Sequence, residues 1–103
     1  KPIFAFCGIA EPNSFINTVE QSSLKVKGRK FFQDHQEYTE AVIQKLSEQI
    51  RAISISHVVT TEKDMVKLPE SFLEEFEVYI IKIDVVFENE LIIKDIIQPI
   101  LLN

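Results

Sequence analysis

The chain has 103 residues, 46% of them hydrophobic, with a formal net charge of −5. The length suits one small domain, and the apolar content supports a packed core and excludes a disordered chain. The acid excess argues against a sequence-independent grip on nucleic acid, which needs clustered cations, and the single cysteine excludes a disulfide framework.

The lone Cys7 sits inside an apolar run, so a reducing compartment is the default. No apolar stretch approaches the roughly 20 residues of a membrane span. Strand-like sequence starts at Ile3 with no initiator Met before it. The chain is therefore expected to be a piece of a longer protein, forming a single domain over residues 1–103.

Ile3-Phe4-Ala5-Phe6-Cys7 is a continuous apolar run closed by Gly8, the pattern of a strand buried on both faces of a parallel sheet. The chain then turns, Pro12 opens a helix, and Phe15, Ile16 and Val19 form its apolar stripe to about Ser22. Leu24 to Phe31 alternates and carries Lys25, Lys27, Arg29 and Lys30, which predicts a strand near a sheet edge. Thr39 fits a helix N-cap with Glu40 in the first turn, and Val42, Ile43, Leu46, Ile50 and Ile53 follow at helical spacing. Ser56 to Thr60 is a short strand in which His57 is structural. Thr61 with Asp64 matches a capping box in its broad form, and Pro69 stops the turn it opens. A short helix over Glu70–Phe76 and a strand over Glu77–Val85 come next. The pattern then predicts a turn at Glu88-Asn89 and a closing helix carrying Ile92, Ile93, Ile96, Ile97 and Ile100, kinked at Pro99.

The expected order is β-α-β-α-β-α-β-α, an α/β fold with a small, mainly parallel sheet flanked by helices. In such a sheet the turns Gly8–Ser14, Gln33–Tyr38 and Thr60–Asp64 all follow strands and line one rim. Ligands of open α/β sheets bind at that edge. Asp34-His35 at the end of a strand can place a proton-handling imidazole there; the same pair also fits a capped turn with a solvated histidine. Lys63 opposes the helix dipole in a first turn, by a few tenths to about 1 kcal/mol. A partner carboxylate or phosphate explains that, and so does pairing with Glu62 or exposure to water.

Several chemistries lack their residues. Gly8 and Gly28 are the only glycines, so GxxxxGK[ST] cannot occur. No Cys/His set has zinc spacing, no metal ligands are expected, and no G-x-S-x-G elbow is present.

Gly8-Ile9-Ala10 with Pro12 and Phe15, then Phe32 with Asp34-His35 and Tyr38-Thr39, then Thr61-Glu62-Lys63-Asp64 with Val66-Lys67-Leu68, fall in one order and spacing. Together they resemble the carboxyl-terminal part of the tetraacyldisaccharide 4′-kinase family, the lipid A 4′-kinases of Gram-negative bacteria. The resemblance runs from Phe4 to Leu68 and is most specific in T-E-K-D-x-V-K-L. It implies an enzyme of lipopolysaccharide synthesis that transfers the γ-phosphoryl of ATP, with Mg²⁺, to the 4′-hydroxyl of a lipid A disaccharide 1-phosphate. It also implies a peripheral place on the cytoplasmic side of the inner membrane, and a soluble fragment without a membrane span.

ATP and Mg²⁺ would be held by a missing amino-terminal P-loop domain, the partner of this one, so the fragment alone is expected to be inactive. The resemblance makes His35 the catalytic partner of an aspartate in that domain, with Asp34 orienting it or the cleft wall. It assigns Gly8, Ile9, Pro12, Thr61, Glu62, Lys63 and Asp64 to the cleft or domain interface. Gln36 stands where the family commonly has a second histidine, and Gln33 where it has a proline. A non-catalytic flavodoxin-like interaction module is the alternative. A freestanding hydrolase built on Asp34 and His35 lacks a nucleophile or metal set.

Overall fold

The computed structural model describes residues 2–9, 11–22, 24–85 and 91–97, with the backbone alone over 82–85 and 91–97. Strands β1 (Pro2–Cys7), β2 (Lys25–Phe31), β3 (His57–Thr61) and β4 (Glu77–Val85) pair in parallel, and β5 (Leu91–Ile97) lies antiparallel to β4. The sheet order is β2-β1-β3-β4-β5. Helices α1 (Pro12–Gln21), α2 (Glu40–Ala52), α3 (Glu62–Met65) and α4 (Glu70–Glu75) connect the strands. This is the expected α/β architecture.

The apolar run of β1 explains its central position. Phe4 and Phe6 point into a cluster with Ile43, Leu46 and Ile50 of α2 and Phe72 of α4. Ile3, Ala5 and Cys7 point the other way, against Phe15, Ile16 and Val19 of α1. Burial on both faces is what a continuous apolar strand requires. β2 ends the sheet, as its alternation predicts, with Lys25, Lys27, Arg29 and Lys30 exposed.

Helix α2 begins where Thr39 Oγ1 accepts the Val42 N–H at 3.3 Å, with Glu40 in the first turn and Arg51 in the last. Both charges complement the helix dipole. The helix stops one residue short of the expected stripe: Ile53 is its C-cap and is 41% exposed, and Ser54 turns the chain at a φ of +58°.

The closing helix is the one element that differs in kind. Ile92, Ile93, Ile96 and Ile97 lie in β5, paired with β4 in a register running from Ile80↔Ile97 to Val85↔Leu91. The i, i+1, i+4, i+5 spacing suits a helical stripe, but it equally places isoleucines on both faces of a strand. β-branched side chains are stiff at χ1 and favour the extended state. An antiparallel partner strand then supplies the backbone hydrogen bonds. The expected turn at Glu88-Asn89, and Pro99 and Ile100, lie outside the described residues. Among the described residues no helix is long and apolar enough to cross a membrane.

Candidate functional site

Parallel pairing of β1, β2 and β3 brings the turns after their carboxyl ends together, and a single carboxylate joins them. Asp64 is 1% exposed. The Gly8 N–H donates to both of its oxygens at 3.1 Å, Tyr38 Oη donates to Oδ1 at 2.8 Å, and Thr61 Oγ1 donates to Oδ2. The Asp64 N–H in turn donates to Thr61 Oγ1 at 3.1 Å, so Thr61 caps α3 as its spacing predicts. A capping box would send the acidic side chain back to the cap residue's own N–H. Here it crosses to two other turns instead.

A side chain at Gly8 would crowd all three turns. A Cβ there would stand 3.0 Å from the Gln33 carbonyl oxygen and 3.2 Å from both Asp64 Oδ1 and Gln36 Cβ. The first two turns thus touch at the spot where the third supplies its carboxylate. Neighbouring Ile9 packs on the α1-side cluster, and Pro12 occupies the first position of α1.

The second turn is closed by the Gln36 N–H donating to the Gln33 carbonyl at 3.1 Å, which makes Asp34 and His35 its central residues. His35 has a φ of +63°, at the position where turns of positive φ take glycine. Its side chain is 76% exposed. Asp34 Oδ1 accepts the His35 backbone N–H at 3.1 Å, while Asp34 Oδ2 is 3.6 Å from His35 Nε2. At that distance the imidazole is an electrostatic neighbour rather than a hydrogen-bond donor. Lys63 Nζ lies 3.6 Å from Asp34 Oδ1, so the first-turn cation of α3 meets a carboxylate from a different turn. Lys67 Nζ donates to the Gln36 carbonyl at 3.2 Å, a second tie between the same two segments. Glu62 is exposed on the same short helix.

Aromatic rings support the His35 turn from below. Phe32 and Tyr38 flank it in sequence, 5.3 Å apart and edge to face, and each meets the ring of Phe6 at 6.0–6.4 Å. Beside the turn, between β2 and α2, lies an open groove of about 450 Å³ whose lining includes Lys30, Phe32, Gln33, Gln36, Lys45 and Gln49.

Burial raises two acids in this region. The Cys7 thiol is pushed up to about 12 from 9.0, first by burial and then by the negative charge of Asp64. Tyr38 is pushed far above the usual phenol range by burial, then by the Asp64 charge and the hydrogen bond to it. The unfolded thiol ionises near pH 9 while the folded one holds its proton, so stability is full below pH 9 and lost as pH rises through 12. Thiol reagents at pH 8 are expected to leave native Cys7 unlabelled. The melting temperature between pH 9 and 12 is expected to fall more steeply in the wild type than in Cys7→Ala. Rapid labelling of the native chain would contradict this reading.

The three turns meet, and they bring Gly8, Asp34, His35, Thr61, Lys63 and Asp64 to one rim. His57 lies at the other end of the sheet, with Nε2 3.0 Å from Glu77 Oε2 and its ring stacked on Tyr79. Tyr38 is the rim residue that spacing does not reveal as polar machinery. It stands just before the Thr39 cap, the place of a hydrophobic staple residue, and its ring packs on the cluster that contains Ile43.

Asp34 is engaged by its own turn and Lys63, and among the described residues no group of three His, Cys, Asp or Glu is placed to hold a metal ion.

A profile of the tetraacyldisaccharide-1-P 4′-kinases matches residues 1–101. A tetraacyldisaccharide 4′-kinase of Desulfotalea psychrophila is 38% identical over 79 residues, 77% of this chain and 22% of the relative. One from Chlorobaculum parvum is 39% identical over 67 residues, 65% of the chain and 18% of the relative. One from Xanthobacter autotrophicus is 40% identical over 67 residues, 65% and 19% respectively. The chain spans about a fifth of the length of these curated relatives. No solved structure matches it.

Proposed function

The chain belongs to the tetraacyldisaccharide-1-P 4′-kinase family, and from that premise we propose that it is the carboxyl-terminal part of a lipid A 4′-kinase. The whole protein would transfer the γ-phosphoryl of ATP to the 4′-hydroxyl of a disaccharide 1-phosphate, working peripherally at the cytoplasmic face of the inner membrane. ATP and Mg²⁺ would be held mainly by the part of the protein beyond this chain, and among the described residues no group of three His, Cys, Asp or Glu is placed to hold a metal ion.

The observation that carries the reading is His35: an exposed imidazole held at positive φ in the turn after the carboxyl end of β2. Backbone strain of that kind is retained where the surrounding structure enforces it, and it clusters at active sites. Phosphoryl transfer is mostly positioning and charge stabilisation, together with a base for the acceptor hydroxyl proton. His35 would orient a carboxylate base from the facing domain and raise its basicity, while Asp34 sets the turn and Lys63 anchors Asp34. Lys30 and Lys45 in the adjoining groove suit a phosphorylated ligand.

The test is direct. Full-length protein with ATP and tetraacyldisaccharide 1-phosphate is expected to give ADP and the 4′-phosphorylated lipid, and the 103-residue chain alone to give neither. No transfer by the full-length protein, or full transfer by the chain alone, would overturn the proposal.

A further inference from the structure

We infer that Asp64 is the positioning residue of the rim, acting on His35 through the Tyr38 hydroxyl. The argument starts from burial. A carboxylate that is 1% exposed needs hydrogen bonds to offset its desolvation, and it takes them from three separate segments. The bonds from Gly8 and Tyr38 are long-range, spanning 56 and 26 residues. Thr61 alone would suffice to cap α3, so the cap does not explain them.

The geometry gives each leg a separate task. The Gly8 leg fixes the end of β1 against the Gln33 carbonyl. The Tyr38 leg fixes the outgoing end of the His35 turn, whose incoming end is already fixed by the Phe32 N–H donating to the Cys7 carbonyl at 2.8 Å. With both ends held, the turn can keep His35 at its unfavourable φ. Release of the outgoing end lets the turn relax and the imidazole move.

Tyr38→Phe is the clean variant, because it removes one hydroxyl and keeps the ring on Phe6 and Phe32. Asp64→Asn is its partner, keeping the size while losing the charge. The chain has two histidines, His35 at the rim and His57 at the far end of the sheet, so its imidazole NMR spectrum carries its own internal reference. Well below the melting temperature, both variants are expected to shift or broaden the His35 signal and leave that of His57 in place.

The inference rests on the kinase reading only for its kinetic arm. There, full-length Tyr38→Phe is expected to lose about ten- to a hundredfold in kcat with little change in KM, the penalty of a misplaced group. If the wild-type protein transfers no phosphate, the kinase reading fails, and the His35 signal still decides the positioning role. A lower melting temperature with an unmoved His35 signal would reduce Asp64 to a structural residue and overturn the inference.

Discussion

Replacing His35 with glycine in the full-length protein is expected to raise its melting temperature and, on the proposed kinase reading, to abolish most of its phosphoryl transfer. The two effects have one origin. A left-handed backbone costs an L-residue about 1–2 kcal/mol, and glycine adopts it freely. His35 sits at φ +63° with its ring 76% exposed, so it contributes little packing to offset that cost. Glycine's extra unfolded-state entropy removes part of the gain, which leaves a net stabilisation of about 0.5–1 kcal/mol. Loss of a positioned proton-handling group typically lowers kcat by about 10²–10⁴. His35→Asn separates the terms, since asparagine tolerates the same backbone region. It is expected to match the wild type in stability and the glycine variant in activity. Transfer within threefold of wild type in either variant would remove His35 from the chemistry, and destabilisation by glycine would remove the strain.

Local patterns carried the fold as far as they are local. The apolar run before Gly8, the Thr39 cap and the Thr61-to-Asp64 turn each specify their element from neighbours within a few residues, and each forms as its spacing predicts. The isoleucine-rich β5 does not, because its pattern satisfies two periods and only pairing with β4 chooses between them. The same limit applies to the rim. A capping box is a local device, and nothing in Thr61-Glu62-Lys63-Asp64 indicates that the acid reaches Gly8 and Tyr38. Lys63 shows the point from the other side. An unfavourable charge in a first turn fits a partner or water equally, and only the parallel order of β1 and its two neighbours brings Asp34 to it.

Asp64→Ala is expected to be the most destabilising change at the rim, and two opposing terms set its size. Removing the carboxylate leaves the Gly8 N–H and the Thr61 and Tyr38 hydroxyls without their acceptor, at about 1–3 kcal/mol for each donor that stays buried. Against this, the folded chain no longer has to desolvate a carboxylate that forms no ion pair among the described residues. The donors decide the balance because they differ in freedom. The Gly8 N–H belongs to a buried backbone that Gln33 and Gln36 crowd on one side, so it has nowhere to turn. The Tyr38 hydroxyl is only half-buried and can take water, and the Thr61 hydroxyl rotates. One donor at full cost and two at partial cost, less the relieved desolvation, give a net loss of about 2–4 kcal/mol. Asparagine keeps an acceptor oxygen and should cost roughly half as much, and Tyr38→Phe less again. Urea unfolding of the three variants checks that order, and an Asp64→Ala chain as stable as the wild type would mean that desolvation, not the bonds, governs this carboxylate.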